Sequence, residues 1–155
     1  MTTREKLFEP SVSHRFLTTF FFKNIPSPLD IRFQRISGLG RELGVSEHRE
    51  GGDNVGSLYL PEKIKHTPLV LERGVMVLTP LTLFFNDVLS SFDAHYADLV
   101  IMLLNHQSLP VCSWTVSDAL PVKWQTGDLD ATSNTVLINR LELAYRDMQW
   151  LGARA

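Results

Sequence analysis

A glycine-rich stretch from Ile36 to Gly74 constrains the fold more than any other part of this 155-residue chain. It holds seven of the nine glycines, and these glycines separate short segments of β-type sequence. Glycines spaced in this way mark positions where a backbone bends, bulges or comes close to another backbone. The stretch therefore predicts several short strands joined by turns.

The centre of that stretch, residues 50–57, has no apolar periodicity and predicts a long exposed loop. Connections in compact domains usually span about 4 to 6 residues, so a loop of this length is either mobile or used for contact. The second alternative points to a protein partner.

Apolar and β-branched residues that alternate with polar residues predict about seven strands. These strands cover residues 14–23, 29–36, 43–49, 69–73, 99–104, 111–116 and 137–145. Residues 99–104 are apolar on both faces, so we expect this strand at the centre of a sheet. Pro61 and the basic residues 63–66 predict a turn, and Trp150 is expected to follow the last strand.

One helix is predicted at residues 80–91, with Thr79 as its N-cap and Pro80 at its first position. Its apolar residues recur at the i, i+3, i+4, i+7 spacing of one buried stripe. They are Leu81, Phe84, Phe85, Val88, Leu89 and Phe92. The strands and this helix together predict a mainly β (α+β) domain, a β-sandwich or barrel with one flanking α-helix.

Composition limits the partners and the compartment. A chain of this size buries enough surface to fold without a disulfide or a metal, and the single Cys112 excludes an intrachain disulfide. The formal net charge of −2 gives no strong field for nucleic acid or anionic lipid. Residues 1–13 lack the apolar region of a secretory signal, and no apolar run approaches the about 20 residues of a membrane helix. We therefore expect synthesis in the cytoplasm, no specific nucleic-acid partner and no direct membrane insertion.

The sequence contains no recognisable catalytic, cofactor or metal motif. The five histidines lack zinc-site spacing, and one cysteine cannot form a Cys-x₂-Cys knuckle. Gly38 and Gly40 begin like a dinucleotide-binding loop, but the third glycine, Gly44, falls one residue late. Asp128 and Asp130 lack the glycine and glutamate of a calcium loop and are typical of hydrogen-bonded turns. We therefore predict no enzyme activity, no cofactor and no bound metal.

Five motifs, in order, resemble the tail-tube protein family of contractile phages and phage-derived extracellular contractile injection systems. The motifs are SGLG (37–40), EHREGGDN (47–54), LPEKIKH (60–66), LVLERGV (69–75) and DLDATSNTVLINRLELAY (128–145). The chain is more distantly similar to the inner tube of type VI secretion. The resemblance covers about residues 14–149 and implies hexameric rings that stack into a hollow tube inside a contractile sheath. It also implies assembly into a phage tail or injection particle, with sheath and baseplate proteins as neighbours.

The same resemblance implies that the glycine loop reaches a neighbouring subunit or ring. The implied interface residues are Arg49, Glu50, Gly51, Gly52, Asp53 and Asn54. Charges of both signs at Arg49, Glu50, Lys63, Lys65 and Glu72 predict that contacts between copies are set in register by these groups.

The ends of the chain leave two roles open. We expect a flexible arm at 1–13, a tail-tube-like β domain at 14–149 and a C-terminal tail at 150–155. Such ends would suit a specialised layer next to the baseplate, which initiates the tube, and also an ordinary main tube subunit.

Two other classes of function compete with the tube subunit. A monomeric β-sandwich that binds carbohydrate or peptide would use the glycine loop and an exposed Trp150, while Trp114 is expected in the core. A hydrolase on a β-scaffold is the third alternative. Rings or tubes in electron micrographs would separate the first class from the others.

Overall fold

A computed structural model of the chain describes residues 15–52, 55–74 and 78–152. The predicted N-terminal arm at 1–13 and the last residues of the predicted tail, 153–155, lie outside the described residues. The strands are β1 (Phe16–Phe22), β2 (Ile25–Pro26), β3 (Arg35–Ser37), β4 (Arg41–His48), β5 (Leu58–His66), β6 (Leu69–Arg73), β7 (Ala97–Leu104), β8 (Pro110–Thr126), β9 (Asn139–Ala144) and β10 (Asp147–Gly152), and the helix is α1 (Pro80–Ser91). The prediction of a mainly β domain with one helix is confirmed.

Eight strands form one sheet in the order β2-β1-β7-β8-β9-β6-β3, with β10 beside β8. The strands β4 and β5 form a separate two-stranded sheet, and every pairing is antiparallel. The eight-stranded sheet is open, because β2 and β3 at its two ends do not pair with each other in the described part of the chain. About seven strands are predicted and ten form in the described part of the chain. The three additional strands, β2, β5 and β10, overlap a predicted breaker, turn and tail.

The long strand β8 joins the two halves of this sheet. Its first part pairs with β7 and β10, and its second part, from Leu120, pairs with β9. Between them Asp118 has a positive φ of 52°, and its N–H donates to Oδ1 of Asp98 at 3.0 Å. Such an irregularity lets a strand bend and change partners. Buried side chains from both halves form a single cluster, so the sheet folds over one core.

The helix α1 covers this core as predicted at its N-terminal end. Thr79 caps it by accepting the N–H of Thr82, and Leu81, Phe84 and Phe85 are buried. The predicted stripe is wrong at its other end, where its last two members are exposed: Leu89 by 41% and Phe92 by 92%. The helix ends at Ser91, and Phe92 takes a left-handed conformation (φ 55°) that ends the buried face of the helix.

A buried polar network joins the helix to the loop before β3. Oδ1 of Asp30 accepts a hydrogen bond from Nη1 of Arg73 at 2.9 Å, and Oδ2 accepts one from the backbone N–H of Leu81 at 3.0 Å. Nη2 of Arg73 also reaches Oγ1 of Thr79 at 3.3 Å. Residues 29–34 therefore form no strand, although the sequence predicts one, because Asp30 is turned inward to satisfy these donors.

Candidate functional site

Four of the six predicted interface residues lie at the tip of a hairpin, between β4 and β5. Arg49, Glu50, Gly51 and Gly52 are exposed, while Asp53 and Asn54 lie outside the described residues. A Cβ placed on Gly51 or Gly52 would meet nothing within 4 Å. The glycine loop is thus the end of a longer projecting element.

The segment predicted as a basic turn is part of β5. Leu43 lies opposite Ile64 and Val45 opposite Pro61, so β5 carries one extra residue between these pairs. Gly44 accommodates this bulge, because a Cβ there would lie 3.2 Å from the Lys63 carbonyl oxygen. The turn prediction at 63–66 is wrong, because these residues belong to an edge strand. An edge strand has a neighbour on one side only, so it tolerates a proline, which has no backbone N–H to donate, and it also tolerates lysines.

One face of the hairpin carries several exposed apolar side chains. Residues opposite each other in an antiparallel pair share a face. On one side the register places Glu47 opposite Tyr59 near the tip and Arg41 opposite His66 at the base. Five apolar residues share that side: Leu43, Val45, Tyr59, Pro61 and Ile64. We call them the apolar hairpin face. The exposed fractions of Leu43, Val45, Tyr59 and Ile64 are 51%, 54%, 63% and 57%.

The other face of the hairpin is mixed in character. It carries Glu42, Ser46, His48, Leu58, Leu60 and Lys65. In the described part of the chain, β4 and β5 contribute none of the buried apolar residues. A two-stranded hairpin is at best marginally stable alone in water. Exposed apolar side chains gathered on one face of a hairpin are typical of surfaces that contact another protein.

The hairpin is attached to the body beside the SGLG loop. Gly38 has a positive φ of 89°, and a Cβ there would lie 2.0 Å from the carbonyl oxygen of Pro68, so only glycine fits. The hydroxyl of Tyr145 donates to the carbonyl oxygens of Gly38 and Gly40 at 3.5 and 3.4 Å. Burial raises the pKa of Tyr145, so this donor keeps its proton at neutral pH.

Two further contacts hold the base of the hairpin. Nη1 of Arg41, at the start of β4, donates to the carbonyl oxygen of Met148 at 3.1 Å. The imidazole of His66, at the end of β5, packs on the ring of Tyr145 with 5.0 Å between centroids. The attachment therefore uses side-chain contacts, whereas β4 and β5 pair with no strand of the main sheet in the described residues.

Charges near the tip are partly engaged within the hairpin itself. The Glu47 carboxylate accepts Oγ of Ser57 at 2.5 Å and Nε of Arg49 at 3.1 Å. Both hydrogen bonds lower the pKa of Glu47, and the bond from Ser57 has the larger effect. Glu47 therefore stays charged at neutral pH, and the side chains of Glu47 and Arg49 both remain accessible to another protein.

Glu72 does not belong to this surface, so one predicted register-setting charge is misplaced. It is 9% exposed in β6 and accepts Nε and Nη2 of Arg140 at 2.9 and 2.7 Å. The sequence shows Glu72 close to the glycine loop, but strand pairing places it in the main sheet opposite Arg140.

Trp150 lies in a strand, which corrects its predicted place after the last one. It pairs with Trp114 across β10 and β8 and is 59% exposed. Trp114 packs against the core, as predicted. Only Met148 is buried in β10, so the alternation that would have marked this strand is too weak to recognise.

The described residues contain no group of three or more histidine, cysteine, aspartate or glutamate side chains that could hold a metal. Oδ1 of Asp130 instead accepts both N–H and Oγ1 of Thr132, at 2.9 and 2.7 Å, and these bonds lower the pKa of Asp130. That segment is a hydrogen-bonded turn, as its sequence predicts. No helix in the described ranges has the length and apolar character to cross a membrane.

Comparisons with known proteins agree with this architecture. The T4-like virus tail tube protein gp19 family matches residues 13–149. A chain in the cryo-EM structure of the anti-feeding prophage (AFP) baseplate, 6-fold symmetrised, is 61% identical over 98% of both chains, with a TM-score of 0.87. The chain belongs to the T4-like virus tail tube protein gp19 family.

More distant structures share the fold. A chain in the sheath–tube complex of an extracellular contractile injection system, PVC, in its extended state is 24% identical over 99% of both chains, with a TM-score of 0.81. A type six secretion system protein is 10% identical over 88% of this chain and 83% of its own, with a TM-score of 0.52. The search of curated proteins gave no match. The predicted resemblance to the tail-tube family is confirmed.

Proposed function

We propose that this protein is a structural subunit of the inner tube of a contractile injection particle, and that the β4–β5 hairpin joins its copies. One observation carries the proposal: in the described part of the chain, the hairpin contributes no buried apolar residue to the core and exposes five apolar side chains on one face. Covering that face against a neighbouring copy would remove apolar surface from water, which is the main source of stability in permanent assemblies.

The ring that we propose has six subunits. Support comes from the relative at 61% identity, which lies in a baseplate structure with 6-fold symmetry. Around such a ring, each subunit binds the next through two different surfaces, and the sixth subunit closes the circle. Contacts between stacked rings repeat along the tube without closing. The hairpin tip at Arg49–Gly52 is exposed, with open space around both glycines, and serves the contacts to the next subunit or ring.

We further propose that this chain forms the layer next to the baseplate, where the tube begins. The 61% identity is with a chain of a baseplate structure, while identity with the chain from a sheath–tube complex is 24%. In that position one surface of the ring meets baseplate proteins and the other meets the main tube subunit. The particle, with sheath around the tube, is the site of assembly after synthesis in the cytoplasm.

The contact role is tested by changing the apolar hairpin face while keeping β-propensity. The double variant Val45→Thr, Ile64→Thr should remain folded and monomeric, because neither side chain belongs to the core. Lys65→Thr, on the opposite face of the same strand, is the matched control and should still form rings. Negative-stain microscopy and sedimentation report the assembly, and circular dichroism reports the fold.

The same measurements judge the other parts of the proposal. Rings that persist in the double variant would remove the hairpin from the interface. A wild-type chain that stays monomeric at all concentrations would favour a monomeric binding module. Short rings that lengthen only when the main tube subunit is added are expected for the baseplate layer, and long tubes from the purified chain alone would contradict that placement.

A further inference from the structure

The connection between β8 and β9 is a loop that is closed by its own hydrogen bonds. We call residues 127–138 the acidic loop. The N–H of Gly127 donates to the carbonyl oxygen of Ile138 at 2.9 Å and joins the two ends of the loop. Inside it, the carbonyl oxygen of Asp130 accepts the N–H of Ser133 at 3.3 Å. Such bonds restrict the conformations of a loop, so less entropy is lost when the loop binds a partner.

The acidic loop presents apolar and negatively charged side chains to solvent. Leu129 is 85% exposed and Val136 is 70% exposed. Asp128 and Asp130 give the loop two negative charges, and its sequence contains no lysine or arginine. Asp128 forms no ion pair with another described residue. An exposed loop that holds apolar side chains in water is typical of surfaces that another protein covers.

A second surface carries charges of the opposite sign. It spans residues 23–35, and we call it the basic edge. Lys23, Arg32 and Arg35 are exposed, whereas Asp30, the only acidic residue of this segment, is buried. Neither Lys23 nor Arg32 forms an ion pair in the described part of the chain. The basic edge therefore presents positive charges to solvent without negative charges of its own.

The basic edge is held in place by strand β1. The N–H of Thr18 donates to the carbonyl oxygen of Ile31 at 2.9 Å, and Oγ1 of Thr18 donates to the carbonyl oxygen of Asp30 at 2.9 Å. Ile25 and Leu29 each expose more than half of their surface. The basic edge thus combines a fixed backbone with exposed apolar side chains, as the acidic loop does.

The two surfaces match each other in both respects. Contact between them would remove apolar side chains from water and bring opposite charges together. The net charge of −2 gives no general attraction between copies, so an electrostatic preference must come from local surfaces of this kind. Because the two surfaces are different parts of one chain, their contact joins copies head to tail, and this arrangement can close a ring.

We propose that the acidic loop of one copy binds the basic edge of the next copy in the ring, as a second contact beside the hairpin. This inference rests on the proposed function, because it requires that the chain forms rings. Leu129 and Val136 supply the apolar part of the contact, while Asp128 and Arg32 set its register through their opposite charges. The hairpin adds apolar area, and the loop adds orientation.

Single charge reversals test the contact. Asp128→Lys and Arg32→Glu each place like charges opposite one another, so each should raise the concentration at which rings form by about tenfold or more. Asp93→Lys, at an exposed position beyond the end of α1, changes the net charge as Asp128→Lys does and should assemble like the wild type. Sedimentation over a range of concentrations measures assembly, and circular dichroism reports the fold. If Arg32→Glu folds poorly, Lys23→Glu replaces it.

A mixture of the two reversal variants identifies the partner as another copy of this chain. In a ring that alternates the two variants, each introduced lysine faces an introduced glutamate, and the other contacts keep their natural charges. The equimolar mixture should therefore form rings near the wild-type concentration, although neither variant does so alone. A mixture that stays unassembled, or single variants that assemble like the wild type, would overturn the proposal.

The hairpin variant Val45→Thr, Ile64→Thr separates this inference from the proposed role of the hairpin. If the charge variants lose rings and their mixture recovers them while the hairpin variant still assembles, the loop contact stands and the hairpin is not an interface. If only the hairpin variant loses rings, the role of the hairpin stands and the loop contact fails. A wild type that stays monomeric at all concentrations removes both.

Discussion

The folded body and the β4–β5 hairpin use apolar residues in opposite ways. In the body, Phe20, Phe85 and Leu99 are fully buried between the sheet and α1. In the hairpin, Tyr59 and Ile64 expose more than half of their surface, although their strands are fully paired with each other. Residues of the same chemical type thus stabilise the monomer in one region and remain available for a partner in the other. Under the proposed function, folding and assembly are assigned to separate parts of this chain.

Core packing in α1 should give the largest effect on the monomer. Phe85→Ala removes a fully buried ring, and Phe84→Ala a nearly buried one, so each should lower the free energy of unfolding by about 3 to 5 kcal/mol. Leu89→Ala, on the exposed end of the helix, is the matched control and should cost less than about 1 kcal/mol. Urea denaturation gives the values. Costs under about 1 kcal/mol at both phenylalanines would mean that α1 is not part of the core.

The buried ion pair should be nearly as sensitive. Asp30→Ala leaves the Arg73 guanidinium without its carboxylate and removes an acceptor from the Leu81 N–H. Breaking one side of a buried pair typically costs about 3 to 5 kcal/mol. The double variant Asp30→Ala, Arg73→Met should recover much of this loss, because no unpaired charge remains. A single variant as stable as the wild type would show that the network is dispensable.

The joint between the two regions should respond to one added methyl group. Gly38→Ala combines a left-handed backbone with a clash against the Pro68 carbonyl, so we expect a loss of about 2 kcal/mol or more. Gly40→Ala, whose Cβ would have only Oγ1 of Thr67 at 3.9 Å, should be much milder. Thermal unfolding compares the two. Equal effects would mean that the close approach at Gly38 does not limit the hairpin position.

The smallest expected effect appears at alkaline pH. Burial raises the pKa of Tyr145, so its contribution to stability is fully present below the ordinary tyrosine pKa of about 10. That contribution is lost as the pH rises through the raised value, because burial disfavours the ionised oxygen in the folded state. Tyr145→Phe should be slightly less stable at neutral pH and should lack this alkaline loss. Denaturation curves between pH 8 and 11 make the comparison.

Local sequence signals predicted the elements that depend on neighbouring residues. The helix was predictable over Pro80–Ser91, because Thr79 and Pro80 mark its start and its apolar spacing is regular. Strands β1, β6 and β7 were recognisable since one or both of their faces are buried. The exposed loop at Arg49–Gly52 was located by its glycines. Its role as an interface comes from the resemblance to the tail-tube family and stays a proposal.

Pairing decided the elements that the sequence missed. Strand β5 contains Pro61 and three charged side chains, and it forms because β4 supplies a partner on one side only. Strand β10 contains one buried residue, so its sequence lacks the apolar alternation of a strand. Only its pairing with β8 identifies it as one. Residues 29–34 alternate between apolar and polar types like a strand. They form none, because the Asp30 carboxylate is buried as the acceptor for Arg73 and for the Leu81 N–H.

The sequence by itself determined that this chain forms a mainly β domain of the tail-tube family with one capped helix. These properties follow from periodicity, capping residues and motif order, which are local along the chain. The tertiary structure decided that the hairpin stands apart from the core with its apolar face uncovered. It also decided that His66 meets Arg41 and Tyr145 at the joint. Burial and strand register depend on residues far apart in the sequence, so no local pattern could reveal either arrangement.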